Sequence, residues 1–129
     1  MEGSLKLKEI SYIHSESYAA GELKHGPISL IEDGTLVIAL ATQSNLYDKM
    51  LSNIKEVKAR GAYVIAITCT NNISIEKEAD NVIYIPETEK YFTGALEVIP
   101  LQLFAYYISK SKGLDVDKPR NLAKSVTVE

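Results

Sequence analysis

The chain has 129 residues, 46% of them hydrophobic and 24% charged, which is typical of one globular domain. Its net charge of −3 comes from acids and bases mixed along the chain, so no basic footprint for nucleic acid is present. The single cysteine, Cys69, excludes a disulfide framework and a cysteine-based metal cluster. With no signal-peptide pattern and no apolar run of about 18 residues, we expect a cytoplasmic domain without membrane contact.

The first 14 residues have helical periodicity, and we predict a helix over residues 1–14. One apolar arc of this helix contains Met1, Leu5, Tyr12 and Ile13. Glu2, Lys6 and Glu9 fall within the same arc, where charged side chains are unfavourable unless they are paired or functional. A Glu2–Lys6 pair at i,i+4 would account for two of these charges and leave Glu9 unexplained.

Residues 21–27 (GELKHGP) place an acid, a base and an imidazole between two glycines and a proline. Because glycine and proline disfavour regular helix, we predict a rigid, irregular segment that presents His25. Histidine is the residue type that most often serves as a general acid or base. Taken alone, this segment fits a capping loop with a solvated histidine better than a catalytic site. We predict a short strand at residues 15–20, a short helix at 27–31 and a turn at 32–34.

Apolar runs of strand length alternate with helical patterns in the middle of the chain. We predict strands over residues 35–41, 62–68 and 81–86, and helices over residues 44–60, 74–79 and 93–112. The first of these helices begins at Ser44 as N-cap and stops at Gly61. This alternation predicts a parallel sheet covered on both faces. Ligands of such sheets bind outside the carboxyl ends of the strands, here near residues 41–44 and 69–71.

The last predicted helix contains Pro100, which predicts either a kink or a late helix start. Its candidate core residues are Leu96, Ile99, Leu103, Tyr106 and Tyr107. Residues 114–129 follow Gly113 as a polar tail without strong periodicity. From composition alone, Lys124 in this tail would be interpreted as a solvated lysine.

The sequence contains no G-x-G-x-x-G fingerprint, P-loop, G-x-S-x-G elbow or H-E-x-x-H motif. Two histidines, His14 and His25, cannot form a histidine-rich metal site, so we expect no metal or other cofactor. His14 fits a solvated residue at a helix end. Ser44 could bind a phosphate together with a helix N-terminus, although a plain N-cap is the simpler interpretation.

Three blocks of the chain are similar to one family, the glutamine:fructose-6-phosphate amidotransferases that make glucosamine 6-phosphate. Residues 2–12 (EGSLKLKEISY) resemble the start of the second sugar isomerase domain of that family. Residues 18–27 (YAAGELKHGP) resemble its next block, and residues 115–129 (DVDKPRNLAKSVTVE) resemble its C-terminus. With compatible spacing between the blocks, the resemblance covers essentially the whole chain.

The resemblance implies an α/β, flavodoxin-like three-layer sugar isomerase domain with a parallel sheet over residues 1–113. The tail at 114–129 would fold over the sugar as a lid. The family's first strand precedes the region matched here, and in a flavodoxin-like order that strand is central. We therefore expect two sheet edges that face a gap, closed by dimerisation, exchange of an element or rearrangement.

The resemblance also implies roles for individual residues. Glu9 would shuttle a proton between C1 and C2 of the open-chain sugar, and His25 would assist ring opening and reach the neighbouring subunit of a homodimer. Lys124 would form a Schiff base with the keto sugar, and Lys6 would steer charge and proton transfer. Two further positions are expected to support or contact the substrate: Glu2 and Ala123.

The implied function is that of an isomerase module that converts fructose 6-phosphate and ammonia to glucosamine 6-phosphate. In the family, a separate glutaminase domain releases the ammonia and a first isomerase domain holds the sugar phosphate, so this chain is expected to be inactive alone. A noncatalytic sugar-phosphate binding or regulatory module is the alternative, and a purely structural fragment is a third interpretation. Glu9, His25 and Lys124 together argue against the alternative, since a sensor needs no Schiff-base lysine.

Overall fold

The structure, a computed structural model, describes residues 1–120 and 122. Its helices and strands are α1 (Glu2–Ser11), β1 (Leu36–Ala41), α2 (Tyr47–Lys58), β2 (Tyr63–Cys69), β3 (Asn81–Ile85) and α3 (Thr93–Ser111). Short 3₁₀ helices cover Ala20–His25, Pro27–Leu30, Ser44–Leu46 and Ile73–Lys77. The chain divides into a sheet unit, Tyr18–Glu97, and a terminal unit that joins Met1–Ser17 to the described residues from Val98 onward.

The described part of the sheet unit contains three parallel strands in the order β1-β2-β3. In this register Ala39 of β1 pairs with Ala66 of β2, which pairs in turn with Val82 of β3. Each strand lies within about one residue of its predicted bounds, because a run of apolar residues between turn signals marks a buried strand. The predicted α/β fold with a parallel sheet is confirmed.

The predicted short strand at residues 15–20 is wrong. In place of a strand ladder, Ser15 bonds to α1: its Oγ donates to the Ser4 carbonyl at 3.0 Å, and Ser4 Oγ donates to the Ser15 carbonyl at 3.0 Å. The expected gap between two sheet edges is also wrong, since in the described residues β2 pairs with both of the other strands. The edge strands of this sheet are β1 and β3.

The core of the sheet unit forms where α2 meets the strands. Ile54 and Val57 of α2 are buried together with Val64 and Ala66 of β2 and Ala39 of β1. Apolar burial stabilises by about 25 cal/mol per Å², so each large aliphatic side chain contributes about 1.5–3 kcal/mol. This core fixes the sheet on which the neighbouring loops are built.

The turn after α2 is held by glycine geometry. Gly61 has φ 90°, and a Cβ there would meet the Asp33 Cα at 2.8 Å, so only glycine fits without a shift of the backbone. Gly34, at φ 81°, donates its N–H to the Gly61 carbonyl at 2.8 Å. Gly61 therefore follows α2 as predicted, but Ser44 is not a side-chain cap: it opens a 3₁₀ turn, and no capping hydrogen bond forms.

In the terminal unit, α1 packs closely on α3. Gly3 lies against Leu101, and Ser109 Oγ donates a hydrogen bond to the carbonyl of Ile10. The packed row of α3 is therefore the i, i+4, i+8 set Leu101, Ala105 and Ser109, in which Ala105 and Ser109 are buried. Small side chains in this row permit the close approach of the two helices.

The predicted core face of α3 is wrong. Leu96 is half-buried, and the remaining four predicted core residues are exposed: Ile99, Leu103, Tyr106 and Tyr107. They lie on another side of the helix from the row with small residues. The helix runs continuously through Pro100, so a late helix start is also excluded. No helix within residues 1–120 and 122 has the length and apolar character needed to cross a membrane.

Candidate active site

The α1 helix brings Glu2, Lys6 and Glu9 together on one side. Lys6 Nζ lies 2.5 Å from Glu9 Oε2 at i,i+3 spacing and 3.8 Å from Glu2 Oε1 at i,i+4 spacing. The Glu9 side chain is the most covered of the three, at 22% exposure. The expectation that a Glu2–Lys6 pair would leave Glu9 unexplained is therefore wrong, because Lys6 pairs more closely with Glu9.

This arrangement controls the charge of Lys6. The hydrogen bond to the Glu9 carboxylate raises the pKa of Lys6, while partial burial opposes that shift and the charges of Glu9 and Glu2 add to it. Lys6 is therefore an ammonium at neutral pH. An ammonium held against a half-buried carboxylate can stabilise negative charge that develops nearby, and the carboxylate can accept and return a proton.

His25 ends the 3₁₀ helix Ala20–His25 and is followed by Gly26 at φ 144° and by a proline. Its side chain is 74% exposed, with Nε2 3.9 Å from Glu22 Oε2. The segment presents an exposed imidazole as predicted, but it is not irregular, since two 3₁₀ helices, Ala20–His25 and Pro27–Leu30, meet at Gly26. The segment is anchored by Leu23, which packs against the core, and by a 2.7 Å ion pair between Lys24 and Glu56 of α2.

The predicted site residues are distributed over different parts of the chain. Glu2, Lys6 and Glu9 belong to the terminal unit, and His25 belongs to the sheet unit. Ala123 and Lys124 lie outside the described residues. Before them, Asp115 Oδ1 accepts hydrogen bonds from the two backbone N–H groups of residues 117 and 118, at 2.9 and 3.2 Å.

Polar side chains at the carboxyl edge of the sheet form hydrogen bonds with one another. Thr42 Oγ1 donates to Glu97, and Asn71 Nδ2 donates to Glu87. Burial raises the pKa of the Cys69 thiol, and the nearby charges of Glu87 and Glu97 raise it further. Both glutamates were missed in the sequence. Their signal was that Glu87 follows β3 and Glu97 lies in the second turn of α3, close to the edge where a parallel sheet gathers its ligand-binding loops.

A cavity at this edge holds about 50 Å³ and is lined by Leu40, Ala41, Gln43, Leu46 and Met50. Small-molecule sites occupy about 300–1,000 Å³, so this cavity is too small for a sugar phosphate. Within residues 1–120 and 122, no cluster of three or more His, Cys, Asp or Glu side chains could hold a metal ion. Among the described residues, the acid–base set on α1 (Glu2, Lys6 and Glu9) is therefore the strongest candidate for chemistry.

A parallel α/β sheet preceded by a helix with a paired acid and base agrees with the family comparison. The chain belongs to the SIS domain family, whose profile matches residues 1–109. It is 69% identical over all 129 of its residues to the isomerizing glutamine–fructose-6-phosphate aminotransferase of Caldanaerobacter subterraneus subsp. tengcongensis. That alignment covers 21% of the relative, so the chain spans about a fifth of the length of the curated proteins it matches.

Solved structures agree with this assignment. The C-terminal domain of glucosamine-fructose-6-phosphate aminotransferase from Francisella tularensis has a TM-score of 0.79 and 38% identity, covering 88% of this chain and 32% of that one. A glucosamine-6-phosphate deaminase from Thermotoga maritima has a TM-score of 0.76 and 29% identity, covering 96% of this chain and 35% of that one. The resemblance stated from the three sequence blocks is confirmed.

Proposed function

We propose that this chain supplies isomerase residues for the conversion of fructose 6-phosphate and ammonia to glucosamine 6-phosphate, as part of a longer aminotransferase. The observation that carries this proposal is the 2.5 Å pair of Lys6 and Glu9 on α1. The 69% identity to an aminotransferase of that name supports it, as does the likeness to a deaminase named for glucosamine 6-phosphate. Both of these proteins are named for phosphates of six-carbon sugars.

The proposed chemistry begins at the keto carbon of the sugar. The amine of Lys124 condenses with the C2 carbonyl to form an imine and release water, and ammonia then displaces the lysine at C2. His25 assists the ring opening that exposes the carbonyl. Each step conserves the carbon skeleton and moves only water, protons and nitrogen.

The second stage shifts a proton along the sugar. Glu9 removes a proton from C1 of the imine, the C1–H electrons form a C1–C2 double bond, and the C=N electrons move to the nitrogen, which takes up the proton of the C1 hydroxyl. The same carboxyl then returns its proton to C2 while the C1–O⁻ group becomes the aldehyde, so that C2 carries the amine. The Lys6 ammonium stabilises the negative charge of the intermediate, while Glu2 supports Lys6 and Ala123 contacts the substrate through its backbone.

Trapping the imine tests this function. In the longer protein that contains this chain, borohydride with fructose 6-phosphate should add hydride to the imine carbon and leave a sugar-phosphate adduct on the peptide with Lys124. Mass spectrometry locates the adduct, and Lys124→Arg should abolish it. Sugar-phosphate binding without an adduct at Lys124 would contradict the proposal and favour a noncatalytic binding or regulatory module.

We also propose that the active protein is a homodimer in which His25 acts in the partner's site. Exposed apolar residues on α3, among them Ile99 and Leu103, are compatible with association. Inactive His25→Ala and Glu9→Gln proteins can be mixed after reversible subunit dissociation. If His25 acts across subunits, random mixing restores about a quarter of the activity, because half the dimers contain one intact site of two. If mixing restores nothing while mixed dimers form, His25 acts within its own subunit.

The 129-residue chain alone should have at most very weak activity. In the proposal, other domains release the ammonia and hold the sugar phosphate. The measurement is glucosamine 6-phosphate formation with ammonium and fructose 6-phosphate supplied. Robust turnover by the isolated chain would contradict the need for those domains.

A further inference from the structure

Tyr12 ends α1 in a conformation that ordinary residues avoid. Its backbone is left-handed, with φ 60° and ψ 22°, and within residues 1–120 and 122 it is the only non-glycine residue with positive φ. Left-handed backbone is unfavourable for residues with a Cβ and persists where surrounding contacts compensate. The contacts of the Tyr12 side chain are therefore expected to compensate for this unfavourable backbone conformation.

Tyr12 contacts Arg120, which is 108 residues later in the sequence. The backbone N–H of Arg120 donates to Tyr12 Oη at 2.8 Å, and the Arg120 guanidinium carbon lies 4.1 Å from the centre of the Tyr12 ring. One contact uses the hydroxyl and the other uses the face of the ring, so the two can be removed separately. Together they form a clamp, which we name the Tyr12–Arg120 clamp.

The end of α1 from which Tyr12 extends is held by hydrogen bonds within the terminal unit. Lys112 Nζ donates to the Ser11 carbonyl at 2.6 Å, and Ser109 Oγ donates to the Ile10 carbonyl. These bonds satisfy carbonyls at the C-terminal end of α1, which have no partner inside the helix. The end of α1 is therefore bonded to Ser109 of α3 and to Lys112, the residue directly after α3, and Tyr12 follows this bonded helix end.

We propose that Tyr12 and Arg120 are positioning residues that tether the C-terminal segment to the helix that carries Glu9. Glu9 lies three residues before Tyr12, and Lys124 lies four residues after Arg120. Four residues span at most about 14 Å, so fixing Arg120 limits how far Lys124 can lie from the end of α1. This inference rests on the proposed function, because it gives Lys124 the Schiff-base role.

The clamp itself can be tested in the 129-residue chain without any activity. Tyr12→Phe removes the acceptor for the Arg120 N–H and keeps the ring, so exchange of that amide should accelerate roughly fivefold or more, as measured by NMR hydrogen exchange. Tyr107→Phe is the matched control, since it removes an exposed tyrosine hydroxyl from the same unit. An unchanged Arg120 exchange rate in Tyr12→Phe would overturn the clamp.

The positioning role is tested by borohydride trapping at Lys124 in the longer protein with fructose 6-phosphate. Tyr12→Leu removes both contacts and should slow trapping by about tenfold or more, since small misplacement of a reacting group is costly. The unfolding midpoint should remain close to that of the wild type. Arg120→Ala should also slow trapping, whereas Arg120→Lys keeps a cation over the ring and should restore part of the rate.

The outcomes separate this inference from the function on which it rests. If the wild-type protein gives no adduct at Lys124, the proposed function fails and the positioning role fails with it. If the wild type is trapped and the Tyr12 and Arg120 variants are trapped at the same rate, the function stands and the positioning role is wrong. If Arg120→Lys rescues nothing relative to Arg120→Ala, the ring–cation contact is not part of the tether.

Discussion

Different interactions stabilise the interior of the sheet unit and the interior of the terminal unit. In the sheet unit, aliphatic side chains such as Ile54 and Val64 are buried in one continuous core between α2 and the strands. In the described part of the terminal unit, the buried residues are Ser11, Ala105 and Ser109, and side-chain hydrogen bonds to helix-end carbonyls join α1 to α3.

This difference separates stability from chemistry. Dense apolar packing stabilises a fold, but charged groups placed in it are costly. The terminal unit instead holds the Lys6–Glu9 pair in a half-buried position, where the two opposite charges compensate each other. Substitutions of the charged residues on α1 should therefore change activity more than folding, and substitutions in the aliphatic core of the sheet unit should do the reverse.

The largest effect is expected at Glu9. Glu9→Gln keeps the size of the side chain and removes the proton acceptor, so kcat of the longer protein should fall by about 10²–10⁴-fold. Lys8→Gln is the matched control, since it changes an exposed side chain on the same helical turn. Steady-state kinetics measures the rate, and thermal unfolding should show little change in either variant. A wild-type kcat in Glu9→Gln would contradict the proposal that the carboxylate on α1 transfers the proton.

The next effect concerns folding of the sheet unit. Ile75 is fully buried in the core, whereas Ile73, two residues earlier in the same 3₁₀ helix, is 69% exposed. Ile75→Ala should lower the free energy of unfolding by about 2–5 kcal/mol, because it leaves a cavity. Ile73→Ala should change it by about 0.5 kcal/mol or less. Urea denaturation measures both, and similar losses at the two positions would contradict the core described for this unit.

Packing in the terminal unit should respond to Gly3. A Cβ at this position would meet Leu101 Cδ1 at 2.8 Å and Leu101 Cβ at 2.9 Å. Gly3→Ala should therefore destabilise by about 1–3 kcal/mol, even though alanine favours helix. Gly94 in α3 has no heavy atom within 4 Å of the equivalent position, so Gly94→Ala is the control. If Gly3→Ala is as stable as the control in urea denaturation, α1 does not pack closely on α3.

The sequence predicted the sheet unit better than the terminal unit for a physical reason. Strands buried on both faces carry a local signal, which is why the apolar runs gave their bounds within about one residue. The packed face of α3 has no comparable signal: small residues at Ala105 and Ser109 pack, while the larger Ile99 and Leu103 are exposed. Hydrophobicity alone selects the wrong side of such a helix.

The candidate site was predictable in part. Glu9 could be found because a charge on an apolar helical arc requires an explanation. Its close pairing with Lys6 was missed, since i,i+3 and i,i+4 partners compete and side-chain geometry decides between them. The contact between Tyr12 and Arg120 joins residues 108 apart in the sequence and has no local pattern at all. Long-range polar contacts of this kind require the folded chain.

The smallest effect is a pH dependence of the sheet unit at Asp80. Its Oδ1 accepts from Lys58 Nζ at 2.6 Å and its Oδ2 from the Val64 N–H at 2.7 Å, which lowers the pKa of Asp80 in the folded chain below its ordinary value of 3.8. A lowered folded pKa stabilises fully above the unfolded value, and that stabilisation is lost as the pH falls through the folded pKa. Unfolding free energy measured from pH 6 to about pH 2 should therefore decline less steeply in Asp80→Asn than in the wild type. Asp117→Asn, an exposed substitution in the terminal unit, should retain the wild-type slope. If both variants keep that slope, the pair with Lys58 adds no pH-dependent stability, and packing of the apolar core alone stabilises the sheet unit.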